Sequence, residues 1–155
     1  MTEPSVIHST YVIERSYPAT PQHVFAAFSD PAKKRRWFAE GESSTLEEFE
    51  MDFRVGGNER VCFRLKNGML CRNDTIYQDI LSDRRIVTAY TMSVDDRRIS
   101  SSQATTEFLP TEKGTDLIFT EQAAFFEGAD GPQIRQEGWR LLFDQLAKEM
   151  SSAHA

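Results

Sequence analysis

Cysteine is scarce in this sequence, since Cys62 and Cys71 are the only two in 155 residues. They flank Asn67-Gly68, a dipeptide that predicts a two-residue hairpin turn. In that register Arg64 faces Cys71, and Cys62 lies diagonal to Cys71 on the same face, with Cα atoms roughly 7–8 Å apart. Such a separation is at or beyond the disulfide limit, so two free thiols are predicted. Because there is no CxxC motif and no nearby histidine, we predict no metal site and no other cofactor.

Long apolar runs and an excess of basic residues are also absent. No segment approaches the roughly 18 apolar residues of a membrane span, and the start MTEPSVIHST lacks the pattern of a secretory signal. We therefore expect a cytoplasmic protein that does not span a membrane. With 18 basic and 24 acidic residues the net charge is −6, which disfavours nucleic acid as a partner.

Aromatic residues, in contrast, are plentiful: eleven phenylalanines, four tyrosines and two tryptophans. A chain of this length is expected to form one domain over residues 1–155, with an ordered core of about 5–150, and to bury roughly 70% of its unfolded surface. So many rings can fill a dense core or line a cavity, and composition alone does not distinguish the two.

The order of apolar and turn residues predicts one strand, two short helices, six strands and a long helix. The first strand is predicted over 5–17. Thr20-Pro21 and Asp30-Pro31 are typical starts of the two short helices. The last helix is predicted over about 131–150, with Asp130 as its cap. The six further strands are predicted near 44–54, 59–66, 69–80, 85–94, 98–109 and 114–124.

Consecutive strands with short connections favour an antiparallel meander, because no connection is long enough for a helical crossover. The predicted class is therefore α+β, with the helices on one side of the sheet. We expect a curved antiparallel sheet of about seven strands wrapped around the long C-terminal helix, with two short helices after strand 1.

Five segments match a known family in order and spacing, and with their connections they span most of the chain: YVIERSYPATPQHVFAAFSDPAKKRRWF (11–38), DFRVGG (52–57), YQDI (77–80), RIVTAYTM (85–92) and GTDLIFTEQ (114–122). The chain resembles the START-like (SRPBCC) superfamily, the helix-grip fold of birch pollen allergens, lipid-transfer domains and polyketide cyclases. Within it, the chain is most similar to the family of the C-terminal domain of the activator of heat-shock protein 90 ATPase. The resemblance implies a pocket between sheet and helix, and it leaves the function open because this fold carries many functions.

The long helix carries several candidate site residues. At about 100° per residue, its apolar side covers roughly 200° and includes Gly138, Trp139 and Leu142. A glycine there indicates either close packing against a strand side chain or room for a ligand. Arg135 projects into the same arc, where it either extends to water at the helix end or binds a carboxylate, from a ligand or from the protein.

Glu121 is the candidate catalytic residue. In DLIFTEQAAF it shares a strand face with Leu117 and Phe119, which suggests an inward position. An inward glutamate in an apolar cavity would have a raised pKa and could act as a general acid or base. The alternative, which the sequence favours, places Glu121 at the rim of the sheet through strand curvature.

Aromatic residues supply most of the other candidates. Trp37 and Phe38 end the second short helix, near the cavity mouth of the resembled fold, although packing onto the sheet also explains them. Tyr77 and Tyr90 carry hydroxyls that a ligand oxygen could satisfy. The predicted ligand-binding set is Trp37, Phe38, Phe53, Arg60, Tyr77, Tyr90, Phe119, Glu121, Arg135, Gly138, Trp139 and Leu142.

Two charged or glycine-rich segments complete the pattern. RVGGNER lacks the lysine and hydroxyl residue of a phosphate loop, so it is predicted to be a turn or bulge, although Arg60 beyond it could reach a ligand. KKRR (33–36) and the acidic segment 40–52 predict solvated faces, with a protein-docking patch as the alternative.

Three functions are compatible with these features. The leading hypothesis is a START-like domain that binds a hydrophobic or aromatic small molecule in a cavity of roughly 300–1,000 Å³ between the sheet and the C-terminal helix. The second is a cofactor-independent cyclase, dehydratase or isomerase in which Glu121, Arg135 and a tyrosine move protons. The third is a co-chaperone-like activator of a heat-shock chaperone ATPase that uses an outer surface such as KKRR. Besides a hydrophobic small-molecule ligand, a protein partner or a homodimer is considered.

Overall fold

A computed structural model describes residues 3–41 and 43–152. Within them, no helix is long and apolar enough to cross a membrane. The elements in chain order are β1 (Val6–Tyr17), α1 (Pro21–Ser29), α2 (Pro31–Lys34), a π-helical turn (Arg35–Ala39), β2 (Ser44–Met51), β3 (Asn58–Leu65), β4 (Leu70–Leu81), β5 (Arg85–Val94), β6 (Arg97–Thr111), β7 (Gly114–Phe126) and α3 (Pro132–Ser151).

The seven strands form one antiparallel sheet in the order β1-β7-β6-β5-β4-β3-β2. Strands β2 to β7 are a meander, and β1 joins it beside β7, the last strand. Because β1 and β2 are then opposite edges, the segment with α1, α2 and the π-helical turn carries the chain from one edge to the other. The predicted α+β fold, a curved antiparallel sheet around a C-terminal helix, is confirmed.

The short helices begin where the sequence predicted. The Thr20 side chain accepts a hydrogen bond from His23 N at 3.2 Å, and Asp30 Oδ1 accepts one from Ala32 N at 2.9 Å. After α2 the chain widens into the π-helical turn, which ends when Glu40 N donates to Arg35 O. This turn buries Trp37, whose indole N–H donates to Ala27 O at 2.8 Å.

The core fills the space between the concave face of the sheet and the helices. On the α1 side, Phe25 stacks on Phe108 with ring centroids 5.4 Å apart. On the α3 side, Phe143 and Leu146 are completely buried, and Tyr17 donates from its hydroxyl to Phe143 O at 3.0 Å. One continuous apolar cluster therefore joins β1, α1, the sheet and α3.

The hairpin between β3 and β4 differs from the prediction. Leu65 N donates to Met69 O, and Gly68 takes φ of +90°, so the turn is longer than two residues. The register then pairs Phe63 with Cys71 and places Cys62 opposite Arg72. The two cysteines thus lie on opposite faces of the sheet, and the prediction that they share a face is wrong. Both are free thiols, as predicted.

Candidate functional site

A cavity of about 50 Å³ lies between the sheet, the π-helical turn and α3. It is much smaller than the predicted volume. Seven of the predicted ligand-binding residues line it: Trp37, Phe38, Phe53, Tyr77, Tyr90, Phe119 and Trp139. The aromatic character of the predicted site is therefore present, but in a nearly closed form.

Three of these rings are only partly buried and define the side through which the cavity could enlarge. Phe38 and Trp139 have ring centroids 5.9 Å apart and join the π-helical turn to α3. Phe53 packs edge-on against Tyr77 at 5.0 Å. Because partly buried rings lose less contact when they rotate, these three are the ones that a ligand could displace.

A buried ion pair lies in the same cavity wall. Lys34 Nζ is 2.8 Å from Glu59 Oε1, and their side chains are 10% and 2% exposed. The Tyr77 hydroxyl donates to the same oxygen at 2.6 Å, and burial next to this carboxylate raises the pKa of Tyr77. Lys34 Nζ also lies 4.6 Å from the centre of the Phe38 ring. Charge and aromatic surface thus meet at one end of the cavity.

Sequence reasoning missed both members of this pair. Lys34 belongs to the basic run KKRR, although it ends α2 with its side chain buried. Glu59 alternates with Val61, and Val61 is buried, so strand periodicity would have placed Glu59 on the inner face. Asn73 was missed as well. It lines the cavity, and its buried Oδ1 has no hydrogen-bond partner among the described residues.

The glycine pair of RVGGNER holds Tyr77 in place. Gly56 N donates to Tyr77 O at 2.8 Å, and Tyr77 N donates to Gly57 O at 3.0 Å. A Cβ on Gly57 would lie 2.1 Å from the carbonyl oxygen of Asp52, so the close approach requires glycine. The predicted turn is confirmed. Arg60, however, pairs with Asp74 on the outer face at 3.1 Å, and so the expectation that it reaches the cavity is wrong.

Glu121 lies inside the protein, and its favoured position at the rim is wrong. Its side chain is 0% exposed, and it accepts hydrogen bonds from Tyr11 at 2.5 Å and Tyr90 at 2.7 Å. Burial raises its pKa, and the two tyrosine hydroxyls with the nearby Arg135 charge offset part of that rise. Glu121 is screened from the cavity by Tyr90, so it does not line the wall itself.

Arg135 is buried in the first turns of α3, where the sequence offered a solvated position as one alternative. Its guanidinium donates to both carboxylate oxygens of Asp130, at 2.7 and 2.8 Å, and to Ser100 Oγ at 2.9 Å. It also donates to the Tyr90 hydroxyl at 3.0 Å, with Glu121 at 3.8 Å. Asp130 therefore does not cap α3, whose N-cap is Gly131 without a side-chain hydrogen bond.

The apolar arc of α3 is narrower than predicted. Ile134 and Leu141 are 65% and 58% exposed, and Gly138 lies between them on the same exposed side. A Cβ on Gly138 would meet no heavy atom of the described residues within 4 Å, apart from its own helix turn and chain neighbours. Neither close packing nor a ligand explains this glycine. Leu142 packs against the core but does not reach the cavity.

Three of the four residues of the basic run KKRR form ion pairs within the chain. Besides Lys34, Arg35 pairs with Glu40 at 3.0 Å, and Arg36 binds Glu149 through two hydrogen bonds of 3.0 and 2.8 Å. Glu149 is buried near the end of α3, so its pair with Arg36 fastens that helix to the π-helical turn. The prediction of a solvated basic face is wrong for Lys34.

Comparison with solved structures identifies close relatives in fold. The Mll3558 protein from Rhizobium loti is 47% identical, with a TM-score of 0.87 over 94% of this chain and 99% of that one. An uncharacterized protein from Rhizobium leguminosarum is 37% identical, with a TM-score of 0.92 over 96% and 98%. An AHSA1-like protein from Aeromonas hydrophila is 20% identical, with a TM-score of 0.71 over 94% of each chain, and this likeness concerns the fold alone.

A comparison with curated proteins found no significant match. The family model described as Activator of Hsp90 ATPase homolog 1-like protein matches residues 18–151. This span includes α1, every strand from β2 to β7 and α3 to its last residue, and so it contains the whole candidate site apart from Tyr11. The chain therefore belongs to the Activator of Hsp90 ATPase homolog 1-like family, within the START-like fold.

Proposed function

We propose that this domain binds an aromatic or hydrophobic small molecule that carries a polar group, in the cavity between the sheet and α3. The observation that carries the proposal is the combination of eight aromatic rings with one buried ion pair, Lys34 and Glu59, in a single cavity wall. Ligand sites are mostly apolar with a few polar groups that set orientation. Asn73 supplies a second polar group in the same wall.

Binding requires the cavity to enlarge from about 50 Å³. Rotation of Phe38 and Trp139 away from one another would open the side between the π-helical turn and α3. The ligand would replace the contacts between these rings. The Lys34–Glu59 pair would stay intact at the polar end of the cavity.

The chaperone-activating alternative has less support from the geometry. It relied on KKRR as an outer docking patch, and three of those four side chains bind carboxylates of this chain. The enzymatic alternative relied on Glu121, which Tyr90 separates from the cavity.

A panel of sterols, fatty acids and hydroxylated aromatic compounds tests the proposal. A ligand at a hundred times its Kd stabilises the folded state by about 2.7 kcal/mol and should raise Tm by roughly 5–10 °C. It should also change the fluorescence of Trp139. The measurement is differential scanning fluorimetry, followed by titration of tryptophan emission.

Matched variants locate the site. Ala104→Leu places three more carbons in the cavity wall and should abolish binding, whereas Ala147→Leu on the exposed side of α3 should leave it unchanged. If no compound raises Tm, or if Ala104→Leu binds as well as the wild type, the proposal fails.

A further inference from the structure

The outer face of the sheet contains a region without any charged residue. Four neighbouring strands, β1, β7, β6 and β5, align three successive rows of side chains that point away from α3. The rows comprise even residues 8–12 of β1, even residues 120–124 of β7, odd residues 101–105 of β6 and odd residues 87–91 of β5. None of these residues is Asp, Glu, Lys or Arg. We refer to this region as the uncharged face.

The absence of charge there is unusual for this chain. Charged residues make up 27% of the sequence, and none of the twelve side chains is buried. At a typical surface frequency of charged residues, about three or four would be expected among twelve surface positions. The middle row is Thr10, Gln122, Gln103 and Ala89, which are small or polar but uncharged.

Charges begin directly outside the uncharged face. The next row toward the end of β6 contains Glu14, Glu107 and Arg85. On the β4 side, Asp74 continues one of the rows and pairs with Arg60 of β3. A centre depleted of charge within a charged rim is the distribution found in protein–protein interfaces.

The uncharged face is large enough for the centre of an interface between subunits, but not for the whole of it. Four strands about 4.8 Å apart and three rows about 6.8 Å apart give roughly 400 Å² in projection. A standard interface covers about 800 Å² on each partner, so the uncharged face would form its centre and the charged rows its rim. Face-to-face packing of two sheets is a common way to bury such a surface.

The lack of charge also indicates which partner the face accepts. Charge complementarity sets the specificity of many interfaces between different proteins, and the centre of this face has no charge with which to select such a partner. A two-fold contact instead brings residues near the axis against their own counterparts, where any charge would oppose its equal. An uncharged centre is compatible with self-association even though the chain carries a net charge of −6. We infer that the uncharged face is the interface between two copies of this chain.

Oligomeric state tests the inference, with charges introduced at single exposed positions. Gln103 and Gln122 are exposed, and Gln103 donates to Gln122 at 3.3 Å in the middle row. The wild type should sediment as a dimer, and Gln103→Lys should weaken the dimer by at least about tenfold. Gln122→Lys should have the same effect. Ile134→Lys, at an exposed position of α3, is the matched control and should leave the dimer intact.

Mixing variants provides a second test. Gln103→Lys and Gln103→Glu should each weaken self-association, and an equimolar mixture should restore dimers through opposite charges. Circular dichroism and Tm confirm that each variant is folded. A wild type that stays monomeric over a hundredfold concentration range overturns the inference. So does a dimer that survives both lysine variants, or one that only Ile134→Lys disrupts.

Discussion

The shortest contacts of the Glu121 carboxylate are with tyrosine hydroxyls, not with the nearby arginine. Tyr11 and Tyr90 lie 2.5 and 2.7 Å from its two oxygens, whereas the Arg135 guanidinium is 3.8 Å away. A carboxylate satisfied by neutral donors in a dry interior still bears most of the cost of desolvation. The residue is therefore expected to influence stability in a pH-dependent manner.

Glu121→Gln should reveal that dependence. Because burial raises the pKa above its ordinary value of 4.5, the folded state favours the protonated acid. The stability that this group contributes is present below pH 4.5 and is lost as pH rises through the folded-state pKa. The free energy of unfolding of the wild type minus that of Glu121→Gln should therefore fall as the pH rises above 4.5.

Urea unfolding of both proteins at a series of pH values from 4.5 upward measures this difference. Glu137→Gln, at an exposed position on α3, should show no comparable change and serves as the control. A difference that stays constant with pH would contradict the assignment of Glu121 as a buried acid with a raised pKa.

Strand alternation predicted which face of the sheet a side chain lies on, but not which residues surround it in the interior. Alternation with Leu117 and Phe119 indicated the correct face for Glu121, but it did not show that Tyr11 and Tyr90 would enclose the carboxylate. Tyr11 lies 110 residues away in sequence, so this contact depends on the register of β1 against β7. No local pattern contains that information.

Among the elements, α3 has a wider apolar face in its sequence pattern than the fold actually buries. Its apolar side chains extend beyond the surface that one sheet can cover, which leaves Ile134 and Leu141 exposed beside Gly138. The helix thus carries a glycine in a position that imposes no steric requirement for one.

Gly138→Ala should therefore stabilise the protein. Alanine has the higher helix propensity, the added methyl group meets no neighbour, and the expected gain is about 0.5–1 kcal/mol. Chemical denaturation measures it. Gly131→Ala is the paired control because Gly131, the N-cap of α3, has φ of +88° and its replacement should destabilise. A loss of stability in Gly138→Ala would show that the glycine has a packing role.

Most elements of this fold could be predicted because turn residues and caps are local. The strands begin and end within a few residues of their predicted limits, and Thr20 and Asp30 cap the short helices. Two local predictions failed. Asp130 binds Arg135 rather than the helix N-terminus, and the β3–β4 turn, closed by Leu65 N and Met69 O, is longer than two residues.

For the molecule as a whole, the fold followed from the order of elements, but the cavity did not. Its volume depends on the rotamers of Phe38, Phe53 and Trp139, which lie in the π-helical turn, the β2–β3 connection and α3. The pairing of the basic run could not be predicted either, because its partners Glu59 and Glu149 lie far away in sequence.

One continuous core implies one cooperative unfolding transition. Trp37 and Trp139 report on the helical layer, and far-ultraviolet circular dichroism reports on helices and strands together. Because the same apolar cluster joins both layers, the two probes should give coincident urea transitions. Midpoints that differ would indicate that α3 separates from the sheet before the sheet unfolds.

The pairing of β1 with β7 has a consequence for synthesis on the ribosome. Tyr11 emerges 110 residues before Glu121, so the first strand leaves the exit tunnel long before its partner exists. Until then its valines and isoleucines are an unprotected edge that a chaperone or another nascent chain could bind. The last strand to be made is the one that ends this exposure, and α3 follows it immediately to cover the concave side.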